Sequence, residues 1–408
     1  MITFIRWNKI TTDMARFKII NAKIVTYDQI VSGELCIDGK KIAGINLPGF
    51  EADFLVDAAG CYVSPGFIDI HTHGSFGHDY MDCTEDAFIE IPRKAVEYGA
   101  TSLVPTLMSS DVEELRDSIR VYEGCKHKLG DGANILGLHL EGPYFSPKRA
   151  GAQVARFLKN PPKDEYMGIL EETDSIIRWD AAPELPGALE FGRDMVKAGV
   201  LPSIAHTDAT YEEVLAAFDA GFTHITHMYN AMSTISKVNS YRFSGVIESA
   251  YLIDGMTLEI IADGRHLPYS LLQFVTKFKP VDKIALITDS MRGAGGKDGE
   301  RSVIGSIKNG REVIIEDQVA KVLDRSGFAG SVCTTDRLLR TMISLAGTSV
   351  VNAVRMAATV PARLSNAPAK GLIKPGFDAD LTIFDDNINI QKTIIGGAIV
   401  YDKTRHNA

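Results

Sequence analysis

No two cysteines in the 408-residue chain have Cys-x-x-Cys spacing, and the five present (Cys36, Cys61, Cys83, Cys125 and Cys333) are scattered and odd in number. That argues against both a disulfide framework and a cysteine zinc site, and it fits a reducing cytoplasm. Long hydrophobic runs are missing too: nowhere are there the roughly eighteen consecutive apolar residues needed to span a bilayer. Asp13 and Arg16 interrupt the segment where a secretory signal needs an unbroken apolar core, so neither export nor membrane insertion is expected. Basic residues are outnumbered, 43 Lys plus Arg against 52 Asp plus Glu, and a net charge of −9 has the wrong sign for a chain that wraps nucleic acid. The sequence also lacks a serine nucleophile elbow, a Cys-His pair and a P-loop. Gly293-Ala294-Gly295-Gly296 has no accompanying lysine and hydroxyl, and reads as a mobile rim loop.

What is there is a chain able to build a sizeable core, with 45% hydrophobic and 23% charged residues, long enough for one large domain and an accessory. Met14 opens a cleaner strand pattern than Met1, which sets residues 1–13 apart as an upstream extension or flexible tail. From Phe17 to Val63 short β-type runs are broken by the turn signals Asp38-Gly39 and Pro48-Gly49, as in a small antiparallel sheet. Residues 379–401 repeat that texture, so both chain ends are expected to build one β-sandwich. Between them apolar runs alternate with helix-like stretches such as Thr84–Tyr98 and Tyr211–Ala220, the rhythm of parallel βα units. Eight runs are present: Gly66–His73, Thr101–Leu107, Ile135–Glu141, Ile176–Ala182, Leu201–His206, His224–Tyr229, Leu258–Ala262 and Ile284–Thr288. The fold class is therefore α/β, a (β/α)8 TIM-type barrel with a small β-sandwich domain. The boundaries fall at 1–63 and 375–408 for the sandwich and 64–374 for the barrel.

In such a barrel chemistry collects at the C-terminal ends of the strands. His71 and His73, two residues apart, project from one strand face and converge. Glu141 closes the third run and is fixed by Gly142-Pro143, His206 ends the fifth run, His227 lies in the sixth, and Asp289 follows the eighth. Singly, each has a plain alternative as a strand-end polar group or a satisfied core histidine. Together they supply the N and O donors of a catalytic zinc-type site that leaves a place for water. Asp289 is then placed to take a proton from activated water and pass it to a leaving group, which points to hydrolysis of an amide-like bond. His139 and His224 read as structural, Asp263 as a turn cap, and His266 as a substrate contact.

These residues resemble the amidohydrolase superfamily and, within it, the N-acetylglucosamine-6-phosphate deacetylases. The resemblance runs nearly end to end through Pro65-Gly66-Phe67-Ile68-Asp69-Ile70-His71-Thr72-His73-Gly74, Leu138-His139-Leu140-Glu141-Gly142-Pro143, Thr226-His227-Met228-Tyr229-Asn230-Ala231-Met232, Ile261-Ala262-Asp263-Gly264-Arg265-His266 and Thr288-Asp289-Ser290-Met291. It implies that Glu141, His206 and His227 hold the principal ion, with His71 and His73 available for a second. It makes Asp289 the general base and then acid, assigns Asn230 and the Ala231 backbone to substrate, and has His266 contact the sugar. A divalent metal is implied, Zn2+ first and Fe2+, Mn2+ or Co2+ as alternatives, in one or two copies, in a homodimer acting on a small molecule.

Two departures bear on the substrate. Where the family usually carries Lys-Gly-Ala-His, this chain has Arg149-Ala150-Gly151-Ala152-Gln153, so Gln153 can offer a hydrogen bond but no charge. The family's phosphate-gripping Arg-Glu-Pro-Gly is replaced by a stretch in which Lys237 or Arg242 would have to serve. N-acetylglucosamine 6-phosphate is the first expectation, and another N-acylated amine, sugar or not, the second. A cyclic-amide or deaminating amidohydrolase is a further alternative, disfavoured by the absence of a strand-four lysine in Ile176–Ala182. A metal-binding protein without turnover is disfavoured by the retention of Asp289.

Overall fold

The computed structural model describes residues 15–130 and 132–406, so the reading of residues 1–13 as an extension lies outside the described residues. Eight parallel strands form the barrel: Phe67–Thr72, Ala100–Met108, Leu138–Glu141, Ile176–Ala181, Leu201–Ile204, His224–Ile225, Thr257–Ile261 and Ile284–Ile287. Each pairs with its successor in chain order. The seam between the eighth and first strands has no ladder of its own. It is closed by an isolated bridge between Thr72 and Ser290, by the Asp289 amide donating to the His71 carbonyl at 2.9 Å, and by the His73 amide donating to Ser290 at 2.8 Å. The buried Asp69 carboxylate completes the closure, accepting from the Thr288 hydroxyl at 2.5 Å and the Thr288 amide at 3.2 Å.

Local chemistry explains the pieces. Thr84 caps the helix Glu85–Ala95, and Thr210 with Glu213 forms a capping box at the helix Tyr211–Asp219. The third strand is shorter than its apolar run because Gly137 bends it, with φ at +150° and no room for a Cβ, which would lie 2.5 Å from Ile177. An aromatic cluster of Trp179, Phe191, Tyr144 and Tyr166 cements the fourth strand to its helix Ala188–Lys197, with the Trp179 and Phe191 rings 5.6 Å apart edge to face.

The strands of the two chain ends share one eight-stranded sheet. It is mixed rather than antiparallel: Arg16–Val25 pairs antiparallel with Ile30–Asp38 but parallel with Phe54–Asp57 and with Tyr62–Pro65. Tyr62–Pro65 then pairs antiparallel with Leu381–Phe384. At the other edge Lys41–Ile45 bonds to residues 376–379, so the sheet folds back on itself. One apolar core fills it, with Phe17, Ile19, Leu35 and Val63 from the early strands meeting Leu381, Ile383 and Ile394 from the late ones. The Thr382 hydroxyl donates to Gly99 O and the Thr393 hydroxyl to Val96 O, each at 2.7 Å, fastening this sheet to the barrel. Among the described residues no helix is long and apolar enough to cross a membrane.

Candidate metal centre

Glu141 is the hub. Its Oε1 lies 3.1 Å from His206 Nε2 and 3.0 Å from His227 Nε2, and those nitrogens are 3.2 Å apart. Its Oε2 lies 3.3 Å from His73 Nε2, which is 3.3 Å from His71 Nε2. Asp289 Oδ1 completes the second group, 3.2 Å from His73 Nε2 and 3.4 Å from His71 Nε2. All six side chains are buried. The structure thus brings the predicted residues into two triads that share one carboxylate, His71-His73-Glu141 and Glu141-His206-His227.

The donor set fits a cation. Four ligands about 2.0–2.1 Å from a tetrahedral zinc ion stand about 3.3 Å from one another, close to the 3.0–3.2 Å separations in the Glu141-His206-His227 triad. In the other triad His73 Nε2 is 3.3 Å from both partners, while His71 Nε2 stands 3.9 Å from Glu141 Oε1. The tautomers agree. His206 Nδ1 donates to the Arg149 carbonyl at 2.9 Å, and His71 Nδ1 lies 3.3 Å from Glu259 Oε2, so in both rings the Nε2 lone pair faces inward. Facing lone pairs repel unless a proton or a cation lies between them.

Charges respond accordingly. Burial opposes ionisation of Glu141, yet His206, His227 and His73 hold its carboxyl well below the usual range. Burial also opposes ionisation of Asp289, which His71 and His73 nevertheless keep below its ordinary value. Conversely, His227 is raised to about 9 against the cost of burial, chiefly by Glu141. Asp289 is therefore held as a carboxylate.

The backbone presents these groups at a cost. His206, His227 and Asp289 have φ of +45°, +30° and +47°, and Ala231 has +48°, in the left-handed region that side chains other than glycine seldom occupy. At about 1–2 kcal/mol each, this strain ends the fifth, sixth and eighth strands where the chemistry begins. It also leaves the sixth strand as only His224–Ile225, shorter than its apolar run. Gly142 turns the chain after Glu141 with φ at +103°; a Cβ there would meet Ser109 Oγ at 2.1 Å, and its carbonyl accepts from the Trp179 indole at 2.8 Å.

Above the triads opens a cavity of about 320 Å3 lined by His73, Glu141, Gln153, His206, His227, Asn230, Ala231, His266 and Asp289, with Lys148 and Arg149 at its side. His71 lies beneath it, fully buried. Gln153 is pinned, its Nε2 donating to Glu141 Oε2 at 2.7 Å and its Oε1 accepting from the Ser109 amide at 3.1 Å. Asn230 Nδ2 donates to the His227 carbonyl at 3.1 Å, and His266 Nδ1 is tied to Asp263 at 2.8 Å. Arg242 is elsewhere, on the exposed hairpin of Ser236–Val238 and Tyr241–Phe243, and Lys237 lies opposite it. The segment around Gly293–Gly296 is a turn tied to its neighbours, with the Phe76 amide donating to Ala294 O at 2.8 Å.

Sequence reasoning missed a buried network under the site. Arg178 and Asp180 on the fourth strand flank His139, whose imidazole is driven down to about 3 by burial and by Arg178, and Arg178 also meets Glu259 on the seventh strand. The signal was available: charges at i and i+2 in an otherwise apolar barrel strand mark one face that must find partners inside.

A parallel barrel carrying two imidazole–carboxylate triads at the C-terminal mouth of its strands defines a barrel hydrolase of the metal-dependent kind. The amidohydrolase family model matches residues 62–400, and the chain belongs to that family. N-acetylglucosamine-6-phosphate deacetylase of Bos taurus is 30% identical over 93% of this chain and 94% of its own length. N-acetylgalactosamine-6-phosphate deacetylase of Escherichia coli O157:H7 is 30% identical over 82% of this chain and 86% of its own. Among solved structures, a mutant of N-acetyl-D-glucosamine-6-phosphate deacetylase from Mycobacterium smegmatis, in complex with N-acetyl-D-glucosamine-6-phosphate, superposes with a TM-score of 0.85 at 28% identity, covering 95% of this chain and 99% of that one.

Proposed function

We propose that the protein hydrolyses the acetamide of an N-acetylated amino sugar 6-phosphate, N-acetylglucosamine 6-phosphate first and its galacto epimer second. The reading is carried by one observation: His206, His227 and Glu141 present three ligand atoms within 3.2 Å of one another, with Asp289 beside them under a cavity large enough for a sugar. Glu141, His206 and His227 would hold the principal divalent ion, Zn2+ before Fe2+, Mn2+ or Co2+, with His71, His73 and Glu141 holding a second. Such an ion polarises a carbonyl and acidifies water.

The chain's own residues do the rest. Asp289 accepts the proton of the attacking water and delivers it to the departing amine nitrogen. Asn230, the Ala231 backbone and His266 orient the sugar, and Gln153 holds Glu141 while its amide faces the cavity. Lys148, 78% exposed at the cavity rim and held only loosely by Asp208 at 3.5 Å, offers positive charge to a phosphate, whereas the Arg149 guanidinium is engaged by the same Asp208 more closely, at 2.7 Å. Arg242 would reach a substrate only from a second copy. The exposed Val238 and Tyr241 on its hairpin support the homodimer in which that would happen. The division into a sandwich of 1–63 and 375–408 and a barrel of 64–374, and a cytoplasmic setting, belong to the same reading.

Purified, Zn2+-loaded protein should release acetate from N-acetylglucosamine 6-phosphate or N-acetylgalactosamine 6-phosphate faster than from the unphosphorylated sugars. Equal rates with and without phosphate would shift the assignment to the broader N-acyl amine class. No acetate from any of the four would overturn it.

A further inference from the structure

Glu259 is a carboxylate in the middle of the apolar seventh strand, fully buried. A charge so placed costs several kcal/mol unless it is paired, and apart from His224 its partners lead to the metal centre. Its Oε1 meets the Arg178 guanidinium and lies 3.4 Å from His224 Nε2. Its Oε2 lies 3.3 Å from His71 Nδ1 and 3.4 Å from both Arg178 Nη2 and the His227 amide. Arg178 in turn cannot swing away: Nη2 is 2.9 Å from His139 Nδ1, and His139 Nε2 is 2.9 Å from Asp180 Oδ1.

The donors sort consistently. When His71 Nε2 faces a cation, its Nδ1 carries the proton and donates to Glu259. Arg178 Nη2, 3.3 Å from that same Nδ1, then finds its acceptor in His139. The rigid guanidinium fork fixes the carboxylate, and the carboxylate fixes the imidazole. With Glu259 and Asp180 negative and Arg178 positive, one negative charge remains directly beneath His71. The other triad has separate support, since His206 leans on the Arg149 carbonyl and His227 touches Glu259 only through its backbone amide.

Resting on the ion-binding reading given above, we propose that Glu259, clamped by Arg178, is a positioning residue that sets occupancy of the His71-His73-Glu141 site independently of the Glu141-His206-His227 site. Its loss should weaken one ion by the ten- to hundredfold typical of a lost outer partner and leave the other unchanged.

Equilibrium dialysis of the full chain against buffered Zn2+, read by elemental analysis, tests this. Wild type should take up two ions, and Glu259→Gln should lose the weaker one selectively while keeping the tighter. If Glu259→Gln fails to fold, the double variant Arg178→Met with Glu259→Leu removes both charges together, an exchange that buried ion pairs often tolerate, and the same selective loss is expected. Two ions held with unchanged affinities, or both weakened in parallel as general loosening would do, overturns the inference. A wild type that takes up a single ion also overturns it while leaving the proposed function standing. A wild type that binds none overturns both.

Discussion

Asp289 stands within 3.4 Å of both imidazoles of the first-strand pair and lines the cavity, so its carboxylate has reach toward both the triads and a substrate. Asp289→Asn keeps an oxygen toward the triad but removes the proton acceptor. Acetate release should fall by about 10²–10⁴-fold while metal content is retained; a variant that loses ions and turnover together would make Asp289 a ligand instead. His71, His73, Glu141, His206, His227 and Asp289 were legible as a cluster because each lies at or near the C-terminal end of an apolar run, where a polar side chain needs an explanation. Arg178 and Glu259 were not, because their partnership crosses the barrel between strands 81 residues apart and local pattern carries no trace of it. Gln153 was legible as a departure, but its grip on Glu141 depends on a loop fold that only coordinates show.

Elements record the same contrast. The helix expected over Tyr211–Ala220 is found over Tyr211–Asp219, since capping is a local property. The short sixth strand and the bent third were less legible, because left-handed backbone at His227 and a missing Cβ at Gly137 answer to distant packing. The loop after the first strand offers a test at this scale. Asp79 begins the one-turn helix Tyr80–Asp82, accepts from the Gly305 amide at 3.0 Å, and is fully buried. Burial pushes its carboxyl up to about 6, with His73 and Arg292 only moderating the rise. The folded chain therefore keeps this proton to a higher pH than the unfolded chain, whose aspartates titrate near 3.9. The associated stability is complete below that value and is lost as pH climbs through the folded pKa. Between about pH 4.5 and about pH 7.5, wild type should lose about 2 kcal/mol of unfolding free energy relative to Asp79→Asn in urea titrations. A constant difference would place the proton elsewhere.

Over the whole molecule, several contacts hold sandwich and barrel together, among them the threonine hydroxyls of the late strands, the Arg340 guanidinium on the Asn387 and Ile388 carbonyls, and Phe384, buried with its ring 5.9 Å from Phe67 and 5.5 Å from Tyr62. Phe384→Ala should cost about 3–5 kcal/mol, read as a lowered thermal midpoint; an unchanged midpoint would mean the two units do not share their stability. That both ends would meet in one sheet was legible from their common texture, whereas the parallel pairing of Arg16–Val25 was not, because strand direction is settled by partners far along the chain.

Because Phe17 and Ile19 share their core with Leu381 and Ile394, the strand that carries them has no complete apolar partner until those distant residues have also been made. Synthesis at about 5–20 residues per second leaves that sticky edge waiting for tens of seconds. Nascent chains of this protein should accordingly depend on holdase protection until the strands bearing Leu381 and Ile394 emerge.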